Sequence, residues 1–265
     1  MKNFSIKKVK FSYIPLSNGK LSVGASVELS NGILEWDACP IGTTSTKLDP
    51  ICLGIDFLED MECRCNNKLS GKNVLLQTEL DNIIEELFKS QEYGFNGVDY
   101  SISLSCAIAR AASIYKHTPL FKYVSLLSKT KCGIPKILSN VIGGGGHHEN
   151  DNKVTEIMVL GSNNAEIDIK KVLQIRDSIK TIFMQKNINS YTGLEGCLVP
   201  DIMNEYQLIE KLSALLSDTN LKIGLDLAGI YDENLLRELL NTFPIIGYIE
   251  DPYSDNNIVN KVFLN

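Results

Sequence analysis

The sequence has no apolar run of the roughly 20 residues that a membrane-spanning helix needs. Its first ten residues are polar and lysine-rich, without the apolar stretch of a signal peptide. It has no basic excess either. Lys and Arg number 26 against 32 Asp and Glu, a net charge of −6, and they are scattered apart from short clusters such as Lys7-Lys8. The electrostatic footprint of a nucleic-acid binder is missing. The expected partners therefore include neither nucleic acid nor membrane, and the expected location is cytoplasmic. The seven cysteines are odd in number and irregularly placed. Cys63 and Cys65 form a Cys-x-Cys without a second pair, so zinc is not indicated, and all seven read as reduced thiols. No short repeat and no low-complexity tract is visible.

The chain does have ample apolar material, 44% of 265 residues. The first part reads as a strand meander. Phe4 to Ile14 is strand-like, the Ser17 to Lys20 segment supplies turn residues, Leu21 to Leu29 alternates, and Asn31-Gly32 is a hairpin signal before Ile33 to Ala38. Helices come next. Leu75, Leu80, Ile83, Ile84, Leu87 and Phe88 recur at helical spacing. Ser101 to Tyr115 is rich in small residues, which allow close packing. Gly133 and Pro135 then punctuate the chain, and a domain boundary is placed there. Beyond it, short apolar strands at 137–142, 154–160, 222–228 and 245–249 alternate with amphipathic helices around Ile175, Leu212 and Leu239. That rhythm predicts parallel βα units. A closed barrel of eight such units takes roughly 200–250 residues, about twice the length remaining after residue 132. The expectation is an open sheet, a sheet completed by a partner, or an incomplete chain.

Five segments carry candidate chemistry. Gly143 to Gly146, then His147-His148, come directly after a strand end. Such a loop lets backbone approach a ligand, but the Gly-Lys-Ser/Thr of a Walker loop is absent, and a flexible turn is the alternative. Glu156 lies in an apolar strand, costly unless paired or at a strand end; an exposed edge position is the other reading. Glu195 sits between glycines, as functional or as ordinary surface turns do. Asp226 and Glu250 lie near the ends of two apolar strands, where ligands collect in parallel α/β folds. Two hard oxygen ligands suit Mg²⁺; helix N-capping by Asp226 and by Asp251, the residue after Glu250, is the bland alternative.

In this order the segments resemble enolase, the glycolytic phosphopyruvate hydratase. Asn140-Val-Ile-Gly-Gly-Gly-Gly-His147 matches the family's Asn-Val-Ile-Asn-Gly-Gly-Ser-His. Thr155-Glu156-Ile-Met-Val matches its Gln-Glu-Phe-Met-Ile. Gly193-Leu-Glu195-Gly, with Pro200, matches its Gly-Asp-Glu-Gly and later Pro. Ile223-Gly-Leu-Asp226-Leu-Ala228 and Ile249-Glu250-Asp251-Pro252 match Ile-Gly-Met-Asp-Val-Ala and Ile-Glu-Asp-Pro. Thr118-Pro119-Leu120-Phe121 extends the similarity into the first half.

The resemblance implies a fold: an α+β domain of strand meander plus helices over 1–131, then the first part of an enolase-type, TIM-like α/β barrel over 132–265. It implies Mg²⁺-dependent dehydration of 2-phosphoglycerate to phosphoenolpyruvate in glycolysis, a lyase reaction. Glu195 and Glu156 would be catalytic. His147, Glu156 and Thr155 would bind the small phosphorylated substrate. Asp226, Glu250 and Thr44 would hold the metal. Position 194 is Leu where the family has Asp. The family's third metal carboxylate and two active-site lysines fall, in its order, beyond Asn265. The alternatives are a non-catalytic enolase-like protein, acting by binding or assembly as a homodimer or with an enolase-like partner chain, and a truncated enolase.

Overall fold

The structure is a computed structural model that describes residues 4–16, 19–40, 51–90, 94–95, 97–145, 154–229 and 233–253. The chain divides into two compact units, Met1–Cys132 and Gly133–Asn265.

In the first unit, β1 (Ile6–Pro15), β2 (Leu21–Leu29) and β3 (Leu34–Ala38) form an antiparallel meander in that order. The Asn31-Gly32 signal sits in the β2–β3 turn, and Gly32 takes the left-handed φ of 91° that such a turn requires. Helices α1 (Leu58–Leu69), α2 (Gln77–Phe88), α3 (Val98–Tyr115) and α4 (Leu120–Ser128) come after the meander, with a two-residue pair β4 (Lys89–Ser90) and β5 (Gly94–Phe95) between α2 and α3. The small residues of α3 do what their size suggests. Ser103, Ala107, Ala111 and Ala112 are buried, and the helix packs directly on β2 and β3. Asp99, in the first turn of α3, accepts the backbone N–H groups of Leu53 (3.1 Å) and Gly54 (2.9 Å). Arg110, further along, is tied to Asp37 of β3 at 2.7 Å.

The second unit is built on six strands: β6 (Leu138–Gly143), β7 (Glu156–Leu160), β8 (Ser190–Thr192), β9 (Leu198–Pro200), β10 (Lys222–Asp226) and β11 (Ile246–Glu250). Their order across the sheet is β11-β10-β7-β6-β9-β8, and among the described residues this sheet does not close into a barrel. Helices α5 (Ala165–Gln185), α6 (Glu205–Leu216) and α7 (Glu233–Thr242) supply one face of the core. Val172, Ile175, Ile179 and Phe183 of α5 are buried with Leu208, Ile209, Leu212 and Leu216 of α6 against Ile157, Val159, Ile223 and Leu225 of the strands. Both helices begin on an Asn whose side chain accepts a backbone N–H, Asn164 from Ile167 and Asn204 from Gln207, as N-caps do.

The expectation of uniformly parallel βα units needs correction. β6, β9, β10 and β11 share one direction, but β7 runs antiparallel to both β6 and β10, and β8 pairs with β9 as an antiparallel hairpin. A strand buried on both faces reads the same in either direction, so its apolar pattern carries no polarity. No described helix is long and apolar enough to cross a membrane, and all seven cysteines are free thiols.

Candidate active site

The reversal of β7 is what assembles the site. Because that strand runs backwards, its first residue lies at the edge where β6, β10 and β11 end. The register partners across this edge are Gly143 with Glu156, Glu156 with Asp226, and Asp226 with Glu250. Register partners on adjacent strands stand about 5 Å apart and point to the same face. Three carboxylates therefore share one row.

One layer below lie Asn140, Met158, Gly224 and Tyr248, again partner to partner. Residue 224 must be small. A Cβ there would meet Leu138 Cδ1 at 2.9 Å, and Met158 Cβ and Tyr248 Cδ1 each at 3.4 Å. The floor beneath the carboxylates is thus filled by apolar side chains that converge over a glycine.

Glu195 enters from the β8–β9 hairpin. Gly193 N–H donates to Cys197 O at 2.9 Å, closing the turn, and Arg176 Nε of α5 donates to Gly196 O at 3.0 Å. Glu195 itself has φ 60° and ψ 9°, the left-handed region that a non-glycine residue seldom enters. Two more such residues flank the row, Ala228 (φ 44°) and Asp251 (φ 40°). They brace one another. Beyond the strand ends, Leu227 N–H donates to Glu250 O at 3.1 Å and Gly229 N–H to Asp251 O at 2.6 Å. Asp226 Oδ1 accepts from Ala228 N–H at 3.0 Å. Strained backbone held by its surroundings clusters at functional sites, and three of the six left-handed non-glycine residues described lie here.

The electrostatics derive from the row. Burial first, then the charges of Glu195, Asp226 and Glu250, push the Glu156 carboxyl from 4.5 up to about 7. The Asn140 side chain hydrogen-bonds that carboxyl and pulls the other way. Near neutral pH, Glu156 is thus present both as acid and as carboxylate, the state a general acid or base needs. Cys197, a buried thiol two residues from Glu195, is pushed up to about 11, first by burial and then by the charge of Glu156.

Thr155 is fully buried. Its N–H donates to Asp226 O (3.0 Å) and its carbonyl accepts from Gly144 N–H (2.9 Å). Its hydroxyl has no hydrogen-bond partner among the described residues. It lies under Gly145, whose φ is 57° and where a Cβ would come within 3.2 Å of that hydroxyl. His147 and Thr44 lie outside the described residues. The structure therefore brings together Glu156, Glu195, Asp226 and Glu250, with Thr155 beside them. It adds Asn140, which heads the first matching motif but carries no role in the sequence reading, and Cys197 and Tyr248, to which that reading gives none either. A period-two count back from Glu250 reaches Tyr248, but an aromatic in an apolar strand reads as core.

The donor set suits a hard divalent cation in kind. It is all oxygen, on neighbouring strands, and the mutual repulsion that raises Glu156 is what a cation would relieve. Among the described residues no three of His, Cys, Asp and Glu converge to hold an ion between them. Mg²⁺ is satisfied by one or two carboxylates with waters, and Asp226 with Glu250 meets that smaller demand.

No family model matches the chain. Among curated proteins it is 25% identical over 229 residues to enolase from Sulfurimonas denitrificans, an alignment covering 82% of this chain and 54% of that one. It is 25% identical over an aligned length of 296 to enolase from Ehrlichia chaffeensis, covering 97% of this chain and 70% of that one. The chain thus spans about half the length of the first of these relatives.

Proposed function

We propose that this chain, a divergent, distant homologue of enolase, carries an enolase-type site and takes part in Mg²⁺-dependent dehydration of 2-phosphoglycerate to phosphoenolpyruvate. The observation that supports this most is the shared row of Glu156, Asp226 and Glu250, with the charge of Glu195 reaching Glu156. Two carboxylates in different surroundings can divide acid and stabilising roles. Glu156, raised to about 7, keeps a proton available at neutral pH. Glu195, exposed on its hairpin turn, would meet the departing hydroxyl. Asp226 and Glu250 are the residues that would hold Mg²⁺, and Thr44 would join them. The cation would offset the negative charge that builds on the substrate carboxylate when its neighbouring carbon loses a proton. Thr155 and His147 would face the small phosphorylated substrate.

A second reading draws on the same row. Among the described residues, the groups that shift Glu156 are three carboxylates and an amide, and repulsion among carboxylates is what metal or substrate binding relieves without turnover. On this reading the chain binds the substrate or the metal without turnover, alone, as a homodimer, or with an enolase-like partner chain that brings the base.

The two readings separate on one assay. Purified chain is given 2-phosphoglycerate and Mg²⁺ beside a Glu195→Gln variant. Phosphoenolpyruvate formed by the first and not the second, and abolished by chelation, supports turnover. Equal background from both overturns it and leaves the binding reading.

A further inference from the structure

Asp226 and Glu250 each have one carboxylate oxygen engaged by the protein, and by different means. Asp226 Oδ1 accepts the N–H of Ala228 at 3.0 Å. Glu250 Oε2 accepts the hydroxyl of Tyr248 at 3.1 Å. The Tyr248 ring can occupy that place because residue 224, its neighbour on β10, is glycine; a Cβ there would lie 3.4 Å from Tyr248 Cδ1 and 2.9 Å from Leu138 Cδ1. Tyr248 and Glu250 are two residues apart on β11, so both face the row. The hydroxyl thus reaches along the strand to the outer carboxylate.

We infer that Tyr248 is a positioning residue for cation binding: by engaging Glu250 Oε2 it leaves Glu250 to meet a divalent cation through its other oxygen alone. This rests on the reading that Asp226 and Glu250 take such an ion. The consequence is selectivity. Ca²⁺ accepts two-oxygen carboxylate contacts and a crowded shell, whereas Mg²⁺ and Mn²⁺ demand a compact octahedron with single-oxygen ligands and waters. A carboxylate turned and half-occupied by a phenol suits the smaller ions. Groups that hold a ligand from behind in this way are typically worth about 10–100-fold in metal affinity when removed.

The test is direct binding, without substrate. The full chain, Tyr248→Phe, Tyr248→His and Glu250→Gln are titrated with Mn²⁺, free ion being read by electron paramagnetic resonance, and then competed with Mg²⁺ and with Ca²⁺. Circular dichroism checks each fold. The expected result is Mn²⁺ binding by the unsubstituted chain and its loss in Glu250→Gln. In Tyr248→Phe, Mn²⁺ affinity should fall by about tenfold or more while Ca²⁺ competes relatively better, and Tyr248→His, which restores a ring donor, should recover part of the difference. Unchanged affinity and unchanged Mn²⁺/Ca²⁺ preference in a folded Tyr248→Phe overturn the inference and leave the metal reading intact. Absence of Mn²⁺ binding by the unsubstituted chain overturns both. Should Tyr248→Phe fail to fold, the same comparison is read on Tyr248→His, where parity with Glu250→Gln contradicts the role of the donor.

Discussion

Asp226 and Glu250 are register partners on adjacent parallel strands, and the antiparallel partner of Asp226 on its other side is Glu156. This places like charges side by side at one sheet edge. A protein tolerates such a row only if a proton, a cation or water offsets it. For Glu156 the offset is a proton: burial and the charges of its three acidic neighbours push its carboxyl up to about 7.

That proton has a signature in stability. The folded chain holds it from the ordinary value of 4.5 up to about 7, and the unfolded chain releases it at the lower value. Between those limits the folded state binds more protons, so stability falls as pH rises and levels off above 7. The full shift corresponds to about 3 kcal/mol, which solvent screening at a half-buried group reduces to roughly 1 kcal/mol. Glu156→Gln should therefore be stabilising by about that amount at pH 8 and near neutral in effect at pH 4.5. Urea unfolding at the two pH values checks this. A variant equally destabilised at both would mean that the carboxylate is not strained by its neighbours.

Ala228 occupies a left-handed conformation with φ 44°, which costs an L-residue roughly 1–2 kcal/mol. Ala228→Gly removes that cost but frees the unfolded chain, which returns up to about 1 kcal/mol. The net expectation is a variant as stable as the parent or up to about 1 kcal/mol more stable. The same exchange in a helix interior destabilises by about 1 kcal/mol. A loss of that size on denaturant unfolding would contradict the left-handed assignment.

The buried Thr155 hydroxyl, without a partner among the described residues, makes a sharper case. Replacing such a group by an apolar one of the same shape is neutral or stabilising, by up to about 1 kcal/mol. Thr155→Val should obey that rule in the free protein. If the hydroxyl meets substrate, the same variant should bind 2-phosphoglycerate more weakly. A destabilisation beyond about 1 kcal/mol would show that the hydroxyl already has a partner at rest.

Much of the site was legible in the residues. Asp226 and Glu250 stand at the ends of apolar strands, and Glu195 stands between glycines, so chemistry at strand ends could be read from pattern alone. What could not be read was direction. Ile157, Met158 and Val159 are buried on both faces of the sheet, and a doubly buried strand has no polar side to orient it. Glu156 reads as a charge inside a strand in one direction and as a member of the carboxylate row in the other. The roles of Asn140 and Tyr248 stayed hidden for different reasons. Tyr248 reads as core, an aromatic in an apolar strand, although it stands two residues before Glu250. Asn140 reaches Glu156 diagonally across the sheet, a proximity that exists only once the register is set.

The coupling of Glu156 to Glu195, Asp226 and Glu250 is tested most directly by titrating the Glu156 carboxyl itself. Carbon-13 NMR of glutamate side chains, assigned with Glu156→Gln, tracks the midpoint with and without Mg²⁺. The predicted midpoint is about 7, and Mg²⁺ held by Asp226 and Glu250 should lower it by neutralising its neighbours. A midpoint in the ordinary carboxylate range, indifferent to Mg²⁺, would contradict the account.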